Sequence, residues 1–92
     1  MVRVQPVSRR RVRSPEGQQF GDALRRARKE NGLSQEALAE SANLTPDYIG
    51  FIERGENVPT LTVILKLCRA LGCTPSELLA DFTTAAMKRL KF

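Results

Sequence analysis

The sequence predicts an all-α fold, a compact bundle of five short helices, and three observations carry that reading. Apolar residues recur three and four apart in segment after segment. Each such segment opens on Ser or Thr, and several close on Gly, the residue types that cap helices. No stretch alternates as a strand would, and no segment repeats another. A chain of 92 residues has room for one modest core and no second.

The first helix is expected in "SPEGQQFGDALRRARKENG", capped by Ser14 or a residue just after it and ended by Gly32 in a left-handed conformation. Phe20, Leu24 and Ala27 form its buried stripe. Arg25, Arg26, Arg28 and Lys29 crowd its C-terminal half, where positive charge suits the helix dipole. A second helix starts at Ser34, with Glu36 in its first turn. A break is expected over residues 41–44, with Asn43 at a position that demands positive φ, which Asn tolerates better than most residues.

The third helix has the clearest start. Thr45 supplies a capping hydroxyl, Pro46 lacks an N–H where none is needed, and Asp47 puts a negative charge on the positive helix end. Ile49 and Ile52 give it an inward face, which leaves Asp47, Tyr48, Gly50 and Phe51 outward; Gly55 closes it. In the fourth helix Thr60 is the cap, Leu61, Ile64, Leu65, Cys68 and Leu71 form a wide apolar stripe, and Gly72 stops it. The fifth opens on a capping box, Thr74 with Glu77 and Pro75 between them, and carries Leu78, Leu79 and Phe82. The closing "TTAAMKRLKF" either forms a sixth helical stretch or frays.

Charge divides the chain into three parts. Residues 1–17 hold Arg3, Arg9, Arg10, Arg11 and Arg13 against Glu16, a balance of +4. Residues 18–80 carry seven basic and eight acidic side chains, and the last twelve add Lys88, Arg89 and Lys91 against Asp81. The net +5 therefore lies at two ends and not on the body. We read residues 1–17 as a flexible basic arm, 18–82 as the folded domain and 83–92 as a tail or short helix. Arg9, Arg10, Arg11 and Arg13 are the candidates for non-specific contact with a polyanion.

Several function classes fall away. The chain has no His, which removes triad catalysis and most zinc sites, and its Ser and Thr residues are nearly all accounted for as caps. No cofactor or metal, and no enzyme activity, is expected. Cys68 and Cys73 are too few for a disulfide scaffold and read as core thiols. No apolar run reaches membrane-spanning length, and the arginine-rich N-terminus lacks the apolar stretch of a signal peptide. A cytoplasmic protein without a membrane partner is the expectation.

The segment from Gln35 to Arg54 has the spacing of a helix-turn-helix. Two helices joined by so short a turn must cross steeply, and Ala39 is small enough to sit where they pass. The second of them is left protruding, with aromatic residues on its outer side that a purely structural helix would not need.

The run "GLSQEALAESANLTPDYIGFIERGENVPTLTVILKLCRALGCTPSELL" resembles the lambda-repressor/Cro-like helix-turn-helix domains, the XRE family. The likeness covers residues 18–80 almost without gaps, and small restriction–modification controller proteins look most similar. The resemblance implies a sequence-specific DNA-binding transcriptional regulator, a repressor or autoregulator. It would be a homodimer on a near-palindromic double-stranded operator, with the helix at Thr45–Arg54 in the major groove. It also implies roles. Gln35 would touch phosphate and brace the recognition helix. Pro46, Asp47 and Phe51 would face bases. Tyr48 would reach a thymine methyl or a phosphate. Arg54, Asn57 and Thr60 would lie around a phosphate-binding loop, and Arg28 would pair with Glu53. The sequence departs from the family at Asn43, where Gly is usual, and at Pro46, which offers only apolar contact. Leu79, Phe82 and Met87 exceed what four packed helices need and are expected at a two-fold interface. The alternative is an antitoxin or other protein-interaction module gripping a toxin or polymerase, with DNA binding secondary.

Overall fold

Six helices appear in the computed structural model, which describes residues 13–92. They are α1 (Pro15–Glu30), α2 (Gln35–Ala42), α3 (Pro46–Glu53), α4 (Leu61–Leu71), α5 (Pro75–Leu78) and α6 (Thr84–Arg89), with no strand among the described residues. The C-terminal segment thus forms a sixth helix, and α1 takes in residues 15–17, which the charge pattern had grouped with the arm. Arg9, Arg10 and Arg11 lie outside the described residues, and Arg13 is exposed.

The caps fall where the hydroxyls stand. Ser14, Ser34, Thr45, Thr60, Thr74 and Thr83 each accept a hydrogen bond from a backbone N–H three residues on. The break after α2 is shorter than expected, because Ser41 and Ala42 remain helical and only residues 43–45 separate α2 from α3. Asn43 makes this possible at φ 58°, ψ 48°. Its N–H donates to the Glu40 carbonyl and that of Leu44 to the Ala39 carbonyl, at 3.2 and 2.8 Å, which satisfies the end of α2 while the chain reverses.

α3 is held from behind by α1 and α2, while α4 closes the bundle against α2 and α5. Leu24, Leu38, Ile49, Ile52 and Leu67 are fully enclosed at its centre. Each contributes roughly 1.5–3 kcal/mol of apolar burial. Gly21 permits the tightest approach: a Cβ there would run into the Ile52 carbonyl and lie 2.7 Å from that of Glu53. Any side chain at Gly21 would push α3 off α1.

The stripe expected on α4 is corrected. Ile64, Cys68 and Leu71 face inward, joined by Leu67, but Leu61 and Leu65 are 68% and 47% exposed. The helix carries more apolar residues than one face holds, and its neighbours cover the Leu67 side. At the C-terminal end Leu79 and Phe82 pack partly buried against the core, whereas Met87 is exposed.

Candidate nucleic-acid interface

The third helix is short, and its orientation is set by one buried ion pair. Glu53, its last residue, is 2% exposed. Arg28 from α1 donates Nε to Glu53 Oε2 at 2.6 Å and Nη2 to Oε1 at 3.0 Å, and its Nη1 reaches the Leu33 carbonyl at 2.9 Å. Gln35 Nε2 donates to Oε1 at 3.1 Å, and Arg25 Nε lies 3.6 Å from the same oxygen. Burial pushes the Glu53 carboxyl up. The bonds from Arg28 and Gln35, with the Arg28 and Arg25 charges, outweigh it and leave Glu53 below the usual carboxylate range. The bond to Glu53 likewise raises Arg28. One carboxylate thereby ties α3 to α1 and to the first residue of α2.

Gln35 donates to that bracing through one of its two amide N–H groups. It stands at the N-terminus of α2, whose positive end favours an anion. Thr60 plays the corresponding part at α4, where its Oγ1 accepts from the Val63 N–H at 3.3 Å. Between α3 and α4 the loop holds Asn57, half-buried, with an enclosed Oδ1 that makes no hydrogen bond.

On the outer side of α3, Thr45, Pro46 and Asp47 are exposed. The expectation that Tyr48 also stands outward is corrected. Tyr48 lies half-buried on the core, because its position flanks the face of Ile49 and Ile52. Gly50 does lie on the outer side, but the Arg54 guanidinium one helical turn away covers it from solvent. Phe51 is half-buried, with Arg54 Cζ 5.3 Å from its ring centre. Arg54 folds back over Gly50 along the helix it ends, while its Nε pairs with Glu56 Oε2 of the following loop at 3.3 Å. The sequence reading missed Gly21 and Glu56. A glycine at position 21 inside a helical pattern gives no signal, but a Glu two residues past Arg54 is within salt-bridge reach.

The geometry is that of a short helix presented at the surface between two helix N-termini. The Helix-turn-helix family profile matches residues 24–78 of it, well over half of the chain. The chain belongs to that family. It is 44% identical over 66 residues to control protein C.BamHI of Bacillus amyloliquefaciens, which covers 71% of this chain and 80% of that protein. It is 43% identical over 60 residues to control protein C.SmaI of Serratia marcescens, covering 65% and 71%. Among solved structures, the restriction-modification controller protein C.AhdI from Aeromonas hydrophila superposes with a TM-score of 0.67 at 44% identity, over 68% of this chain and 96% of that one. Within the family, α2 and α3 are the helix-turn-helix, and α3 is its second helix.

Proposed function

We propose that this protein is a sequence-specific DNA-binding transcriptional regulator that grips a near-palindromic operator as a homodimer, with α3 in the major groove. One observation carries the reading: α3 is locked from behind through Glu53 while Pro46, Asp47 and Arg54 stand exposed on its outer side. Gln35 and Thr60 flank it, at helix starts suited to the phosphates on either side of the groove. Thr45, Tyr48, Phe51 and Asn57 complete the surface, with the basic arm at Arg9, Arg10, Arg11 and Arg13 adding sequence-independent attraction. This is binding and not catalysis, it calls for no cofactor, and it sets the protein in the cytoplasm with its DNA. No described helix is long and apolar enough to cross a membrane.

The second copy covers apolar side chains that the fold leaves in solvent. Leu61 and Leu65 lie one turn apart on α4, Val58 precedes them at 55% exposure, and Met87 is 47% exposed on α6. Leu79 and Phe82 are half-buried against the core and add the parts of their side chains that stay exposed. Selection of binding sites from random DNA by the purified protein tests the whole reading. The expected result is two related half-sites about one turn apart, ~34 Å. Recovery of no enriched sequence would refute it.

A further inference from the structure

The front of α3 holds no Arg, Lys, Asn or Gln, the side chains that make paired hydrogen bonds to guanine or adenine. The structure supplies one from the other end. Arg54 caps the C-terminus of α3. Long helical side chains lean toward the N-terminus and cover the turn before their own. Arg54 does so over Gly50, four residues back, where no side chain stands in its way. A Cβ on Gly50 would meet Arg54 Nη1 at 3.0 Å, with Cζ at 3.8 Å and Nη2 at 3.9 Å. The Phe51 ring lies beside it as a platform for the guanidinium, with Cζ 5.3 Å from its centre. Residues 47, 50, 51 and 54 share one side of a helix, so the guanidinium lies on the same outward stripe as Asp47.

We propose that Arg54 reads a guanine in the major groove, folded over Gly50 and oriented by Phe51 and Glu56. This inference rests on the DNA-binding reading above and names the base that reading lacked a donor for. Glu56 Oε2 forms an ion pair with Arg54 at Nε, 3.3 Å away, and the Nη1–Nη2 edge of the guanidinium is a planar fork. That fork matches the O6 and N7 acceptors of guanine. Glu56 also offsets the Arg54 charge, so a phosphate attracts it less and base geometry counts for more. Asp47, on the same stripe, repels phosphate as well. Glu56 is a positioning residue here, and Gly50 is the space the arrangement needs. Lysine, a point charge without a plane, would not replace Arg54.

The test uses the full chain, its selected operator and a set of duplexes each changed at one base pair, at a single salt concentration. Wild-type protein should discriminate against replacement of one G·C pair in each half-site by roughly 10- to 100-fold. Arg54→Ala and Arg54→Lys should lose that preference at that pair alone. Gly50→Ala should lose it too, with an undiminished melting temperature, because alanine favours the helix but displaces the guanidinium. Glu56→Ala should weaken the preference, and Glu56→Asp should restore part of it. A uniform loss on every duplex with Arg54→Ala, with the salt slope lower by about one, would make Arg54 a phosphate contact and overturn the proposal. Wild-type protein with no preferred sequence would overturn the DNA-binding reading itself, a separate and distinguishable failure.

Discussion

Arg28 and Glu53 form a two-point ion pair at 2.6 and 3.0 Å between the first and third helices, with Glu53 wholly enclosed. Two further partners, Gln35 and the Leu33 carbonyl, leave neither group short of hydrogen bonds. A buried pair of this kind is costly to break on one side, because the survivor keeps its desolvation without its counter-charge. Glu53→Ala should therefore destabilise the fold by about 3–5 kcal/mol, far more than the loss of an exposed pair. The exposed Arg26–Asp81 bridge, 2.6 Å long, is the internal comparison, and Asp81→Ala should cost under about 1 kcal/mol. Denaturant titrations of Glu53→Ala, Arg28→Ala and the double variant decide it. Losses that simply add would mean the two side chains do not interact.

The same carboxylate sets an acid limit. Its folded pKa lies below its ordinary value, so the unfolded chain takes up that proton first as pH falls. The contribution is complete above the unfolded value, about 4.3, and is lost as pH drops through the folded one. Stability of the wild-type protein should fall across this acid range more steeply than that of Glu53→Gln, which has no proton to take up there. Urea midpoints measured from neutral pH downward supply the comparison, and parallel curves would remove Glu53 from the account.

For the two-fold surface, Leu61→Glu with Leu65→Glu should yield a monomer that stays folded, since both side chains already face solvent. Met87→Glu should weaken the dimer if α6 shares the interface. Sedimentation equilibrium with and without operator reads both, together with a melting curve to confirm folding. A wild-type protein that is monomeric at high micromolar concentration on and off DNA would defeat the dimer. A foreign protein bound in equal amount in its place would favour the interaction-module reading.

Much of this architecture was legible in the sequence because its signals are local. A capping hydroxyl acts on an N–H three residues on, and Asn43 and Gly72 adopt positive φ within their own turns. What was not legible depends on neighbours distant in sequence. Leu61, Leu65 and Leu67 are equally apolar, and only the placement of α2 and α5 decides that Leu67 is the covered one. Gly21 is required by the Ile52 and Glu53 carbonyls, thirty residues away in the chain to within a few positions, and nothing beside it in sequence shows this. At the site, the Arg28–Glu53 pair came from resemblance to a family, since the residues themselves read as two surface charges. Helical spacing placed Gly50 outward, but that Arg54 folds back over it depends on the Arg54 rotamer and is not written in the spacing.

The basic arm makes a separate prediction, drawn from charge alone. Five arginines precede a body whose charges nearly cancel. Removing residues 1–13 should weaken binding to all duplexes and flatten the dependence of log K on log salt, leaving the ranking of operator variants intact. An unchanged slope would make the arm irrelevant to DNA.

Asp47 is an unexpected residue for the proposed DNA-facing surface, and its exposure makes it a sensitive probe. Among base edges in the major groove, a carboxylate is matched by the amino group of cytosine, while Pro46 and the Phe51 ring suit thymine methyls. Against phosphate, Asp47 only repels, so it should reduce binding to arbitrary sequences more than binding to the operator. Asp47→Ala should then bind random DNA more tightly and tolerate substitution at the cytosine it faces. Phe51→Ala should lose about 1–3 kcal/mol on the operator and much less on random DNA, since it removes both a methyl contact and the platform under Arg54. The opposing possibility is that Asp47 does no more than stabilise the positive end of α3 and that loop contacts and DNA shape choose the sequence. Titrating both variants against operator and random duplexes at one salt concentration separates the two. Equal losses on both DNAs would assign these side chains to the helix and not to the readout.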